Sequence, residues 1–165
     1  MQSFDKVEIK VYAGNRKALV RLLENQQDHV IMIDPMKRFI RHPAFGESYT
    51  SEILEKVNNQ NGKIYFAEQE GKPVGVIIGI IDELPERDLL ECVPSKMGTI
   101  IQLFVEEECR GKNVGTLLIA KIEEHFKSQN CDVVYVGTLE SNVHARNFYH
   151  KKGYNDRIIE MIKKI

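Results

Sequence analysis

Apolar and polar positions change period several times along the chain, and each change marks an element. Val7, Ile9 and Val11 alternate with charged or polar neighbours, which is the period of a half-buried strand. Over residues 15–27, Ala18, Leu19, Leu22 and Leu23 fall on one helical face. Residues 28–50 keep no steady period and contain Pro35, Pro43 and Gly46, so they read as irregular. A second helix is expected over 51–60, with Ile53, Leu54 and Val57 on one side and Ser51 as its N-cap. Asn61-Gly62 marks a turn, and 64–68 and 74–81 then read as a hairpin around Gly71-Lys72-Pro73. The charged stretch 82–97, with two prolines, reads as a connecting loop. A strand over 99–105, a helix over 114–128, a strand over 133–136 and a helix over 142–152 follow. Ile158, Ile159, Met161, Ile162 and Ile165 read as a final strand.

That order predicts an α/β chain built on a mixed sheet (α+β in character). The hairpin is antiparallel, the strand–helix–strand unit over 99–136 is parallel, and helices cover the faces. A length of 165 residues suits one domain spanning 1–165.

Charge and cysteine usage narrow the partners. Lys plus Arg total 23 against 24 for Asp plus Glu, so no nucleic-acid partner is expected. Cys92, Cys109 and Cys131 are widely spaced and odd in number. They form neither a disulfide framework nor a metal-type pair, so a cytoplasmic setting without a metal is the expectation. Residues 1–6 lack the apolar core of a leader peptide. The longest apolar run, 74–81, is broken by Gly75 and Gly79 and is too short to span a bilayer, so no membrane partner is expected.

The chemistry concentrates in two places. Ile100, Ile101, Leu103, Phe104 and Val105 run as a strand into Glu-Glu-Glu-Cys109, then Arg110-Gly111-Lys112-Asn113-Val114-Gly115-Thr116, then an amphipathic helix. The N–H groups of a helix's first turn lack partners within the helix and carry partial positive charge. Small residues let an anion approach them, and Arg110 and Lys112 add formal charge, so this turn reads as a phosphate cup. Neither a Walker A sequence nor Gly-x-Gly-x-x-Gly is present, which disfavours a P-loop NTPase. The glutamates at 106–108 would repel phosphate, so they are expected on the far side of the turn, in solvent. The second place is Asn142-Val-His-Ala145-Arg-Asn-Phe148-Tyr149, ending at Gly153-Tyr154. Ala145, Phe148 and Tyr149 share a helical face, and Gly153 suits a left-handed helix end.

Together these segments resemble the GNAT superfamily of acetyl-CoA-dependent N-acetyltransferases. Leu103-Phe104-Val105 and Arg110-Gly111-Lys112-Asn113-Val114-Gly115 follow the family's strand, turn and helix pattern. Asn142, Ala145, Phe148, Tyr149, Gly153 and Tyr154 follow its next segment. The resemblance is specific over 98–157 and consistent in element order over 1–97. Asn113 replaces the first motif glycine, and Asn tolerates positive φ better than other non-glycine residues.

The resemblance implies a central mixed, mostly antiparallel sheet flanked by about four helices, with a splayed parallel strand pair. It implies acetyl-CoA as co-substrate and no metal. Main-chain groups of Leu103, Phe104 and Val105 would hold the pantetheine arm. Arg110, Gly111, Lys112, Asn113, Val114, Gly115 and Thr116 would cradle the diphosphate. Asn142 would bond the arm, and Tyr149 would meet the sulfur as general acid. The acceptor implied is a primary amine of a small molecule or peptide, attacking directly. The proton acceptor is open: the position where some relatives carry a glutamate is Gly137, leaving Glu68, Glu140 and His144 as candidates. Cys109 is rejected as a nucleophile, because nothing pairs a base with it. Phe39 and Phe45, in the expected acceptor segment, read as packing residues. The short C-terminal part leaves a sheet edge that a second subunit could cover, so a homodimer is a candidate state. The rival reading is a non-catalytic acyl-CoA-binding module of the same fold, acting as a sensor or partner subunit.

Overall fold

The computed structural model describes residues 6–165; residues 1–5, part of the stretch read as lacking a leader's apolar core, lie outside the described residues. Five strands form one sheet in the order β1 (Val7–Val11), β2 (Lys63–Gln69), β3 (Lys72–Glu83), β4 (Lys96–Val105), β5 (Val133–Val136). All neighbours are antiparallel except β4 and β5, which are parallel. Four helices pack on it: α1 (Arg16–Ile33), α2 (Phe45–Asn59), α3 (Val114–Ser128) and α4 (Val143–Lys151).

β3 lies at the centre and is buried on both faces from Pro73 to Ile81, which is why its sequence is continuously apolar rather than alternating. Successive side chains feed two cores. Val76 and Ile78 join Phe66 and Phe104 under α1 and α2, against Leu19, Leu22, Leu23 and Ile53. Ile77 and Ile81 join Ala67 and Ile100 under α3, against Leu118, Ile119, Ile122 and Phe126. Phe126 lies against two glycines: a Cβ on Gly79 or Gly98 would stand 2.5 or 2.4 Å from its ring atoms.

Several boundaries differ from the sequence reading. α1 runs on to Ile33 and α2 starts at Phe45, so much of 28–50 is helical and only 34–44 is irregular. Asp34 closes α1 there: its carboxylate accepts from the N–H groups of Met36, Arg38 and Phe39. Ser51 is therefore inside α2 rather than its N-cap, and it donates to the Glu47 carbonyl. The 82–97 stretch is shorter as a loop, since β3 reaches Glu83, β4 begins at Lys96 and a 3₁₀ turn occupies Asp88–Leu90. The expected final strand does not form: residues 154–165 have no regular structure. A strand needs a hydrogen-bonded neighbour, and among the described residues β5 pairs with β4 alone.

Candidate active site

The site begins with a parting of two strands. β5 pairs with β4 from Met97 to Ile100, and no β5 residue is paired with β4 beyond that point. The register between β3 and β4 slips there: Ile78 opposes Gln102 while Gly79 opposes Ile100, leaving Ile101 as the extra residue. Such a bulge bends its strand and sharpens the twist, and it lies where the β4–β5 pairing stops. Glu106 N–H donates to Val74 O at 2.8 Å, which fixes the alternation of β4's main-chain groups. Gln102 and Phe104 turn theirs toward β3, while Leu103 and Val105 turn theirs into the gap.

β4 ends at a turn built for positive φ. Gly111 has φ +74 and Asn113 has φ +65, the left-handed region that Asn enters most readily after glycine. The first helical hydrogen bond of α3 runs from Leu117 N–H to Asn113 O at 3.2 Å. The N–H groups of residues 111–116 therefore precede the helix's own ladder and meet no acceptor among the described residues. Arg110 is held rather than loose. Its Nε donates to Val105 O at 2.9 Å, and its guanidinium lies 5.6 Å from the centre of the Phe104 ring. Lys112 and Asn113 are exposed, whereas Val114 is buried and starts the apolar face of α3.

α4 closes the other side. Asn142 Oδ1 accepts from Ala145 N–H at 3.1 Å as the N-cap, which turns its amide NH₂ outward from the helix end as a free donor. The Phe148 ring packs where a Cβ on Gly115 would stand, 3.3 Å away, which joins the start of α3 to α4. Tyr149 is buried, with Phe148 and Tyr154 edge-on at 5.5 Å on either side. Burial pushes its phenol up to about 12. Gly153, at φ +89, ends the helix: its N–H bonds His150 O, and Tyr154 N–H bonds Tyr149 O.

α1 supplies a wall that the sequence reading missed. Arg21 and Asn25, one turn apart, both hold the Glu106 carboxylate, and Arg21 also holds Pro73 O. Glu106 is thus a structural partner on the α1 side, not a solvent residue as expected, while Glu107 and Glu108 are exposed as expected. The next residue on that ridge is His29, which feels the charges of Arg110, Glu107 and His144. Burial first and Arg110 second hold its imidazole below the ordinary value. Nothing local marks His29; only the docking of α1 brings it there. Ser141 Oγ, next to Asn142 in sequence, and Gln26 Oε1 are buried without a hydrogen-bond partner among the described residues. N–H groups ahead of a helix's own ladder, as at 111–116, suit an anionic group.

The candidate proton acceptors do not converge. Glu68 is away from the gap, on β2, 2.7 Å from Lys10 of β1. Glu140 is exposed and 3.8 Å from Arg146. His144, on α4, is near enough to His29 of α1 to influence its charge. Cys109 is buried, its thiol pushed up by burial and donating to Gln69, which leaves it inert. On the acceptor side, Phe39 is exposed rather than packed, with Ile40 and Met32 exposed beside it in sequence, while Phe45 stacks on Tyr49 at 5.0 Å.

The model of the acetyltransferase (GNAT) family matches residues 30–154 of this chain. The chain belongs to the GNAT acetyltransferase family. No curated protein matches this member in sequence. Among solved structures, a mutant BH1408 protein from Bacillus halodurans is similar with TM-score 0.84 and 18% identity, covering 96% of this chain and 99% of that one. Glucosamine-6-phosphate N-acetyltransferase from Arabidopsis thaliana is similar with TM-score 0.68 and 21% identity, over 96% and 98% of the two chains. AAC(6')-Iy, in complex with the bisubstrate analogue CoA-S-monomethyl-acetylneamine, is similar with TM-score 0.66 and 17% identity, over 97% and 99%. At these identities the likeness speaks for the GNAT fold alone. The mixed sheet with one parallel strand pair is that fold, as the sequence pattern implied.

Proposed function

We propose that this GNAT member is an N-acetyltransferase that moves the acetyl group of acetyl-CoA to a primary amine by direct attack. Three features support the reading: the main-chain groups of Leu103, turned away from β3 beyond the end of the β4–β5 pairing, the N–H groups of 111–116 ahead of the α3 ladder, and Asn142 and Tyr149 at and on α4, whose Phe148 packs against Gly115. Bound there, the thioester supplies an activated acetyl group. Leu103 and Val105 would pair with the pantetheine amides as an added strand, and a main-chain N–H aimed at the thioester carbonyl would stabilise its developing negative charge. Val105 O already accepts from Arg110, so Leu103 carries more of this pairing than Val105. Gly111 to Thr116 would hold the diphosphate with Arg110 and Lys112 nearby. The Asn142 amide would donate to the arm.

Tyr149 is proposed as general acid. Held near 12, its hydroxyl is protonated throughout the neutral range and able to donate. Complete transfer to a thiolate of ordinary pKa, about 8.5, would run uphill by roughly 5 kcal/mol. Its main work is therefore a hydrogen bond to the sulfur as the C–S bond breaks, and the proton shed by the amine restores the balance. No metal is needed at any step. The domain is taken to span 1–165 and to work in the cytoplasm.

A second reading, a coenzyme-binding module without turnover, draws on Gly137 in place of a glutamate and on Glu68 being tied to Lys10. A screen of primary amines with detection of released thiol separates the two. Amine-dependent thiol release supports the enzyme. Coenzyme binding with thiol release no faster than hydrolysis, across small-molecule and peptide amines, would leave the binding module.

A further inference from the structure

The sheet face under α2 is open over β5. Ile81 and Ile100 belong to the core under α3, so by alternation Asp82 and Thr99 point to the α2 face. Val134 and Val136 pack against the α3-side core, so Val133 and Tyr135 face the other way, and they are 45% and 39% exposed. Thr99 is paired with Tyr135, one pair before the β4–β5 pairing ends at Ile100 and Val136. It therefore stands at the inner end of the gap, on the open face. Past the slip at Ile101, Gln102 also reaches α2 and donates to the Tyr49 hydroxyl.

Thr99 has a carboxylate behind it. Its Oγ1 donates to Asp82 Oδ2 at 2.6 Å, and Gln60 Nε2 donates to Asp82 Oδ1 at 2.9 Å. An ionised carboxylate only accepts, so the Thr99 proton is committed to Asp82 and the lone pairs of Oγ1 are left for a donor from outside. Gln60 is the C-cap of α2, and its carbonyl accepts from Ile81 N–H at 2.9 Å, so the cluster is fixed by helix and sheet together. Both donors to Asp82 are neutral, unlike the Arg21 guanidinium that holds Glu106. Among the described residues no cation pairs with Asp82; Lys56 of α2 is held by Glu52 at 2.9 Å. Asp82 and Thr99 are both half-buried. A carboxylate so placed can be reached by a proton that arrives through Thr99.

We propose that Thr99 and Asp82 together form the proton acceptor for the incoming amine, Thr99 Oγ1 meeting its N–H from the open face and Asp82 taking the proton through that hydroxyl. The assignment rests on the reading of the chain as an N-acetyltransferase, and it fills the place left open by Glu68 and Glu140. An amine nitrogen loses its basicity as its lone pair enters the bond to the acetyl carbon, so a carboxylate can accept what it sheds. The N–H bond breaks toward Thr99 Oγ1, directly or through one water, while the Thr99 proton moves to Asp82 Oδ2. The C–S electron pair leaves with sulfur, hydrogen-bonded by Tyr149, and Asp82 returns its proton to that thiolate by way of solvent. Tyr149 belongs to the α3-side core and Thr99 to the α2 face, so acid and base approach from opposite faces of the sheet.

Steady-state kinetics at saturating acetyl-CoA test this, with glucosamine, tyramine and a lysine-containing peptide as probe amines. Asp82→Asn keeps the tie between α2 and β4, because its oxygen can accept from Gln60 and its NH₂ can donate to Thr99, but it cannot take the proton. Thr99→Val keeps the shape and removes the hydroxyl. Each is expected to lower kcat about 10²-fold or more, and Thr99→Ser to stay within about tenfold of wild type. The Asp82→Asn/Thr99→Val double variant is expected to be no slower than the worse single, since both act on one proton path. Circular dichroism, and coenzyme A affinity by calorimetry, are expected to hold in all four. Wild-type kcat in Asp82→Asn overturns the proposal, since Asp82 would then be a tie alone. Coenzyme affinity that falls together with kcat also overturns it, since the cluster would be shaping the gap. A wild type that binds coenzyme A and releases no thiol with any probe amine brings down the enzyme reading and this assignment together. An active wild type with an equally active Asp82→Asn removes this assignment alone.

Discussion

Tyr149 joins two demands at one residue, because the same ring fills the core and carries the proposed acid. Tyr149→Phe keeps the packing and removes the hydroxyl. Turnover is expected to fall by about 10²-fold or more while coenzyme affinity changes little; unaltered turnover when chemistry limits the rate would take the role from Tyr149. Alkali tests the same phenol. Burial raises it in the folded state to about 12, above the unfolded value of about 10. Below pH about 10 both states hold the proton and stability is unaffected. Above that pH the unfolded chain ionises first, so stability falls with rising pH until the folded phenol ionises too. Tyr149 alone contributes a slope of up to about 1.4 kcal/mol per pH unit. Tyr154, raised by burial and then by its bond to Glu123, acts in the same direction. Urea unfolding at a series of alkaline pH values should show a shallower slope for Tyr149→Phe, and an identical slope would contradict the burial argument. Gly115 has the opposite character, valuable for what it lacks. A Gly115→Glu side chain would meet Phe148 and carry negative charge beside the open N–H groups. Coenzyme affinity, read by calorimetry, is expected to drop about tenfold or more, close to 1.4 kcal/mol.

Strands and helices of this chain announce themselves by period, but their ends and contacts do not. The 3.6-residue period of α3 was plain, yet which glycines it presses against was not. Phe126 occupies the space above Gly79 and Gly98, so Gly98→Ala is expected to destabilise by about 1–3 kcal/mol through overpacking. Combining it with Phe126→Leu should recover part of that loss in denaturant melts; strict additivity of the two changes would argue against the contact. The turn at 110–116 was legible because its requirement is local: Gly111 and Asn113 are residues that accept positive φ. Asn113→Val is expected to cost about 1–2 kcal/mol, because a branched side chain resists the left-handed region, whereas Asn113→Gly should be tolerated. α1 was legible only in part. Its apolar face was visible, but its polar ridge of Arg21, Asn25 and His29 acquires meaning only against Glu106 and Arg110.

At the scale of the whole molecule, stability is uneven in a way that serves the site. β2, β3 and β4 are paired over long stretches and buried under helices on both faces, whereas β5 holds four residues against one neighbour. Amide exchange should therefore be slowest in β3 and faster in β5 and residues 101–105 of β4. Added coenzyme A is expected to slow exchange at 101–105 and 111–116 and leave β1 and β2 unchanged. Protection spread evenly over the sheet would speak against a bound arm in the gap.

Local patterns by themselves settled which segments are strands and helices through most of the chain, the turn at 110–116 with its positive-φ residues, and the family resemblance. Those features depend on residues within one or two turns of each other, where side-chain period and backbone preference act directly. Three things were decided only when distant segments met. The slip at Ile101, beside the point where the β4–β5 pairing stops, depends on how β3 pairs, not on β4's own residues. Glu106 became half-buried and ion-paired because α1 docks beside it, although it sits among acids that read as solvated. The isoleucine-rich end, with the composition of a strand, stayed unpaired because hydrogen-bonded partners are supplied by tertiary or quaternary structure and never by composition.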